Sequence, residues 1–305
     1  MNSWYYGLSP KIDMQISLSQ AAKDILDNGY AVIKNSVPLE LIDTFLKDYD
    51  GLKVSVLDKH KHELDSEDCI EGMYRRLVNL HLKVPSLRPL FTKNQALVTT
   101  DFFFKEETTL YTSLYYEIGS AQDLHRDTPY FWTNPGYGYF GVWLALEDAG
   151  PENGALEVIP GSHRILDEFD FRDGIGLIEK GSSGSINPQS SNLWDTYQRK
   201  VYEKCIAAGL KKEVASVRKG DTVIWHPQLM HGGSKNADRY KSRNSFVMHV
   251  TPKNSIVYSQ DKYFDPALDE EIASRSPEIK YLSEDGRHLR NDNLWAIAQK
   301  IFLPI

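Results

Sequence analysis

A histidine followed two residues later by a carboxylate occurs once in this chain, at His125-Arg126-Asp127; none of the other eight histidines has Asp or Glu at that offset. On an extended strand, residues i and i+2 face the same side, so this imidazole and carboxylate can grip one metal ion together. A site of two histidines and one carboxylate needs a second imidazole from elsewhere in the chain. It leaves coordination positions open for a cosubstrate and dioxygen. His231 is the candidate, with His226 and His249 as rivals. Fe(II) suits such a partly open nitrogen and oxygen set, and zinc is compatible with the same ligand types.

The surrounding blocks narrow the reading. Tyr139-Phe140-Gly141-Val142-Trp143-Leu144-Ala145-Leu146-Glu147-Asp148 follows the motif, then Glu152-Asn153-Gly154-Ala155-Leu156-Glu157-Val158-Ile159-Pro160-Gly161-Ser162-His163. Further on, Gly220-Asp221-Thr222-Val223-Ile224-Trp225 leads to His231-Gly232-Gly233-Ser234, and Arg243-Asn244-Ser245 begins an apolar run. In order and spacing these blocks resemble the phytanoyl-CoA dioxygenase-like family of Fe(II)/2-oxoglutarate-dependent oxygenases. The resemblance runs over roughly residues 20–252 and is most specific in 124–163 and 218–250.

That resemblance implies an enzyme, a 2-oxoglutarate-dependent non-haem iron dioxygenase with Fe(II) held by His125, Asp127 and His231. Using O2, it would hydroxylate an unactivated C–H bond of a small-molecule substrate while 2-oxoglutarate becomes succinate and CO2. It also implies that Arg243, twelve residues after His231, takes the distal carboxylate of 2-oxoglutarate. Ser245 would add a hydrogen bond, and Trp143 would wall the cosubstrate pocket. Arg239 and Lys241 are close alternatives to Arg243. His-Gly-Ser is the commoner family pattern, and the extra glycine here displaces the hydroxyl. Halogenating relatives carry a small residue in place of the motif carboxylate, so Asp127 points to oxidation rather than halogenation. Arg126, Tyr130, Phe131 and Trp132 are candidates for the substrate chamber, whose apolar walls would surround a few polar anchors. Two other readings use the same fold: a cupin-like metalloenzyme without 2-oxoglutarate, for which Arg243 is dispensable, and a non-catalytic binding protein.

These residues need a scaffold of strands. Ser17-Leu18-Ser19-Gln20 has the form of a capping box, which predicts a helix over about 18–28 stopped by Gly29. Tyr30–Lys34 is a short β-prone run, and Pro38 opens a second helix with Leu41, Ile42, Phe45 and Leu46 inward. A helix is expected around 86–98 and a strand over Thr109–Ile118. Two strands within 137–160 are joined by the turn Gly150-Pro151-Glu152-Asn153-Gly154. Residues 164–212 read as a lid-like insertion, with Gly174, Gly176, Gly181 and Gly184 in a loop and a helix around 192–208. Val214–Val217, Thr222–Trp225 and Ser245–Val250 complete the strands. The pattern is mainly β with flanking helices, and short strands with turn signals fit a double-stranded β-helix, the jelly-roll or cupin-like barrel.

One domain is expected over 1–305: an N-terminal helical layer at about 17–50, a barrel core at about 109–252, and a helical tail at 253–305. In that tail Leu294, Ile297, Ala298 and Ile301 fall at helical spacing. With 41% apolar and 25% charged residues the composition is globular. A net charge of −7 without a basic block argues against nucleic acid. The start of the chain lacks the charged and apolar regions of a signal peptide, and no run reaches membrane-spanning length. A cytoplasmic location is expected. Cys69 and Cys205, far apart, read as reduced packing residues. His60 and His62, set among lysines and acids, read as a solvated surface. The oligomeric state is open.

Overall fold

In the computed structural model the described residues are 20–134, 136–165, 191–238, 240–258, 260–268, 279–291 and 295–305. Ser17 to Ser19 of the capping box and the glycines of the insertion lie outside them.

Helix α1 (Gln20–Asn28) buries Ala22 and Ile25 and ends at Gly29. Strand β1 (Tyr30–Ile33) follows, then α2 (Leu39–Leu52) directly after Pro38, with Ile42, Phe45 and Tyr49 inward. The helix expected around 86–98 is broken into a turn of helix at Pro89–Thr92 and a separate α3 (Leu97–Phe104). Asn94 accounts for the break. Its side chain accepts from the Ala96 amide at 2.9 Å and donates to Thr222 Oγ1 at 3.1 Å, competing with the helical ladder.

The barrel strands are β2 (Leu77–Val78), β3 (Thr108–Tyr116), β4 (Phe140–Ala145), β5 (Leu156–Val158), β6 (Glu213–Ala215), β7 (Thr222–Trp225), β8 (His231–Gly233) and β9 (Ser245–Pro252). The larger sheet runs β1-β7-β4-β9-β3-β2, every neighbour antiparallel. A smaller sheet runs β8-β5-β6. Between them pack Trp143, Ala145, Leu156, Val158, Val223 and Trp225. The larger sheet's other face carries Val142, Leu144, Ile224 and Phe246 in one core with Ile25, Ile42 and Phe45 of α1 and α2. Strands buried on both faces read as nearly continuous apolar runs, as Phe140–Ala145 does. The fold is a jelly roll, mainly β with flanking helices.

The turn at 150–154 links strands of different sheets. The Asn153 side chain caps the Gly150 amide at 2.9 Å, and Gly154 takes φ 83°. In the insertion, α4 (Ser191–Ala207) buries Leu193, Tyr197, Val201 and Cys205 as the spacing requires. It ends in a Schellman turn, with Leu210 N on Cys205 O at 3.1 Å and Gly209 N on Ile206 O at 2.9 Å.

The tail is a correction. After a short α5 (Gln260–Phe264), its described residues form two hairpins instead of a helix: β10 (Tyr281–Glu284) with β11 (Arg287–Arg290), and β12 (Trp295–Ile297) with β13 (Ile301–Leu303). The first turns on Asp285-Gly286, both at positive φ, the dipeptide most suited to a tight hairpin. The second turns through Ala298 and Gln299 at φ 51° and 60°. It pairs with β2, Ala296 opposite Val78 and Ile297 opposite Leu77, so an open sheet edge outweighs the helical spacing. Leu294 lies outside the described residues. No helix among the described residues is long and apolar enough to cross a membrane.

Candidate active site

His125 and His231 face each other across an antiparallel bridge, exchanging main-chain hydrogen bonds of 2.8 and 2.9 Å. Their rings lie 4.5 Å apart, and the spacing rule brings Asp127 to the same side. The Asp127 oxygens are 3.5 Å from His125 Nε2 and 3.5 Å from His231 Nε2. Among the described residues this is the one group of three or more potential ligands close enough to hold a metal ion, all ligand atoms lying within 4.8 Å of one another. Each Nδ1 is engaged behind, His125 on Asp123 O at 2.8 Å and His231 on Leu229 O at 3.0 Å. Donation to a carbonyl fixes Nδ1 as the protonated nitrogen and leaves Nε2 bare, as a metal requires.

Asp127 is braced as tightly. Its Oδ2 accepts from Tyr139 Oη and Trp225 Nε1, both at 2.8 Å. With the phenol proton spent there, His249 Nδ1 donates to the Tyr139 oxygen at 2.5 Å, and Phe131 stacks on His249 at 4.4 Å. Burial works to raise the Asp127 carboxyl, but His231 and His125 beside it hold it well below the usual range. Burial pushes His231 down to about 4, so its imidazole is available as a neutral ligand at pH 7. His249 and His226 are not part of the cluster: one is tied to Tyr139, and the other is buried with its Nδ1 accepting from the Gln228 amide. His60 and His62 stand on the surface beside Glu63.

The triad opens into a cavity of about 960 Å³ that Arg243, Trp143, Tyr130 and Phe131 also line. Arg243 comes from the residues just before β9 and shares the face of Ser245. It is 2% exposed, and burial lowers its guanidinium to about 10. The side chain lies 5.4 Å from the Trp143 ring and 5.7 Å from Tyr116, with Nη1 donating to Gly154 O at 3.1 Å. Arg243 Nε, Trp143 Nε1 and Ser245 Oγ are buried donors without partners. Leaving such groups unpaired is costly; an incoming carboxylate at Arg243 answers that need. Lys241 is exposed and Arg239 lies outside the described residues. The paired glycines after His231 have a steric reason. A Cβ at Gly232 would come within 2.6 Å of Gln122 O, and one at Gly233 within 2.3 Å of Ser120 Oγ. Segment 120–123 crosses the strand there.

Two expected substrate residues are corrected. Arg126, between the two ligands, points to the opposite side, where Nη2 reaches Ser162 O at 2.5 Å and its main chain bonds Gln198 of α4. Alternation along an extended segment dictates this. Trp132 packs against Tyr263 and Tyr137, outside the cavity wall. Sequence reasoning missed Arg76, Tyr116, Thr112 and the Trp225 brace. Thr112, Leu114 and Tyr116 alternate along β3, a signal for one wall; nothing local marked Arg76.

The described residues thus form a double-sheet jelly-roll barrel whose cavity brings together two histidines, one carboxylate and a buried arginine. The phytanoyl-CoA dioxygenase (PhyH) family model matches residues 25–243, well over half of the chain. The chain belongs to that family. A phytanoyl-CoA dioxygenase domain-containing protein 1 homolog of Caenorhabditis briggsae is 24% identical over 188 residues, 60% of this chain and 60% of that protein. The match thus spans somewhat under two thirds of that relative's length. Among solved structures, EctD from S. alaskensis with 2-oxoglutarate and 5-hydroxyectoine is similar at TM-score 0.59 and 16% identity, over 90% of this chain and 88% of that one. The epimerase SnoN in complex with Fe3+, alpha ketoglutarate and nogalamycin RO is similar at TM-score 0.56 and 14% identity, over 90% and 98%. At such identities the likeness concerns the fold.

Proposed function

We propose that this protein is an Fe(II)/2-oxoglutarate-dependent dioxygenase that hydroxylates an unactivated C–H bond of a small molecule, working as one domain. The observation that carries this reading is the placement of a buried, incompletely paired Arg243 in the same cavity as the triad. A metal site alone fits a cupin-like enzyme equally well; the second anion site favours the 2-oxoacid. The donor set suits iron, with two imidazoles and one carboxylate on an open-sided site. Bound there, iron, 2-oxoglutarate and O2 together supply an oxidant for C–H bonds, the 2-oxoacid leaving as succinate and CO2.

His125, Asp127 and His231 would hold the metal, each kept in orientation by the bonds behind it. Arg243 would take the distal carboxylate of 2-oxoglutarate, with Trp143 as wall and Ser245 as the neighbouring hydroxyl. The stacked Phe131 and His249 and the ring of Tyr130 would border the substrate and exclude water from it. Family relationship supports the oxygenase reading, while the reaction type rests on the intact carboxylate ligand.

Succinate formation across a metabolite panel tests the activity, and Arg243→Gln tests the site. Loss of the bidentate partner should weaken 2-oxoglutarate binding about a hundredfold with iron binding retained. Unchanged 2-oxoglutarate affinity in that variant, measured by anaerobic titration, would remove the basis for the reading.

A further inference from the structure

Behind the triad the chain is held from a side that the chemistry above does not use. His125 exchanges both main-chain hydrogen bonds with His231, so along an extended segment the N–H and C=O of the next residue, Arg126, turn away from β8. Among the described residues no strand pairs with Arg126 there. The side chain of Gln198, in the middle of α4, takes the place of one. Its Oε1 accepts from Arg126 N at 2.8 Å and its Nε2 donates to Arg126 O at 3.1 Å. A primary carboxamide carries an acceptor and a donor side by side, so it matches the edge of one strand residue as a neighbouring strand would. Gln198 is 6% exposed and Arg126 is fully buried, so these main-chain groups depend on the amide for their partners.

The same helix packs beneath both segments that carry the triad. Leu193 and Tyr197 share a core with Met230, the residue before His231, and Leu124, the residue before His125, packs against it. Arg126 Nη2 reaches Ser162 O at 2.5 Å, and Ser162 Oγ accepts from Met230 N at 2.9 Å, which ties one segment to the other. One turn before Gln198, Trp194 lines the cavity with its ring 6.2 Å from that of His125. Thus α4 meets the triad on the cavity side through Trp194 and from behind through Gln198. A helix that only covered the barrel would dock by its apolar face and would need no buried amide aimed at the main chain.

We propose that Gln198 is a positioning residue of the metal centre, and that through it the docking of α4 and the binding of metal stabilise each other. The proposal rests on His125, Asp127 and His231 being the metal ligands, as in the proposed function. Gln198 fixes the Arg126 peptide groups, and with them the spacing and tilt of the histidine and carboxylate on either side. Without the carboxamide, a buried N–H and a buried C=O lose their partners, and the segment is free to turn. Coupling between two sites is reciprocal, so bound metal protects α4 by the factor with which docked α4 favours the metal.

The test uses the full chain and metal ions alone. Gln198→Met keeps the length of the side chain and its helix propensity but removes the amide. Val201→Ala loosens the buried apolar face of the same helix and leaves the amide in place. Mn(II) affinity, read by chelator competition, should fall about tenfold in Gln198→Met and stay within about twofold in Val201→Ala. The visible absorption bands of the Co(II)-loaded protein should shift in the first variant and match the unmodified protein in the second. In the unmodified protein Mn(II) should slow hydrogen exchange of the α4 amides by roughly tenfold, and that protection should vanish in Gln198→Met. The exchange measurement on the unmodified protein keeps the test decisive if Gln198→Met does not fold. Unchanged Mn(II) affinity and Co(II) bands in Gln198→Met, an equal loss of affinity in Val201→Ala, or α4 exchange indifferent to metal overturns the proposal while leaving the triad as ligands. Failure of the unmodified protein to bind Mn(II) or Co(II) refutes the metal assignment itself.

Discussion

At Asp127, burial opposes the charge while two imidazoles and two hydrogen bonds support it. Removing the carboxylate with Asp127→Ala leaves the Tyr139 and Trp225 donors facing an empty space and the two histidines without an anionic partner. Fe(II) or Mn(II) affinity should fall more than about a hundredfold with the far-ultraviolet spectrum unchanged, and tight binding retained by the variant would sink the ligand assignment. Tyr139→Phe is subtler. It keeps the ligand and deletes one of its two supports, so metal affinity should drop roughly tenfold, read by chelator competition. An effect confined to thermal stability would mean that the phenol only packs.

Strand β7 carries the brace of Asp127, Trp225, which lies opposite Gly141 of β4. A Cβ at Gly141 would sit 2.0 Å from Trp225 Cε2, so the indole occupies the space that a side chain would need. Gly141→Ala should therefore cost about 1–3 kcal/mol of stability by overpacking, and should weaken metal binding too by pushing Nε1 off Asp127. Gly51, near the end of α2, has nothing within 4 Å of an added Cβ. Gly51→Ala should stabilise by up to about 1 kcal/mol and leave the metal alone. Urea midpoints and metal titrations on the two variants separate these outcomes.

For the whole molecule, buried histidines tie stability to pH. Burial pushes the His81 imidazole down to about 4, where Nδ1 meets Ser113 Oγ at 2.7 Å. Unfolded, the same group titrates near about 6.5, so between those values the unfolded chain binds the extra proton. Stability from this site is complete above about pH 6.5 and is lost as pH falls towards 4, by roughly 3 kcal/mol. His163, also lowered to about 4 by burial, adds to the slope in the same sense. The urea midpoint should fall steeply from pH 6.5 to 4.5, and His81→Asn should flatten that fall. An unchanged slope in the variant would mean that the imidazole is already charged in the fold.

How much of this was legible beforehand depended on how local its cause was. The pairing of His125 with Asp127 is a property of strand geometry, and the faces of α2 and α4 follow from apolar spacing. The choice of His231 and Arg243 rested on resemblance in order and spacing, and the barrel then brought both to one cavity. The break at Asn94 depended on Thr222, a partner 128 residues away. The tail became strand because β2 presented an unpaired edge to residues whose spacing suited either structure, and pairing across a sheet is not encoded in a segment's own periodicity. Arg126 and Trp132 were misassigned because sequence neighbours of a ligand need not share its face. Arg76 was invisible for the converse reason: its cavity is formed by strands distant in sequence, so only the tertiary structure placed its charge beside the metal site.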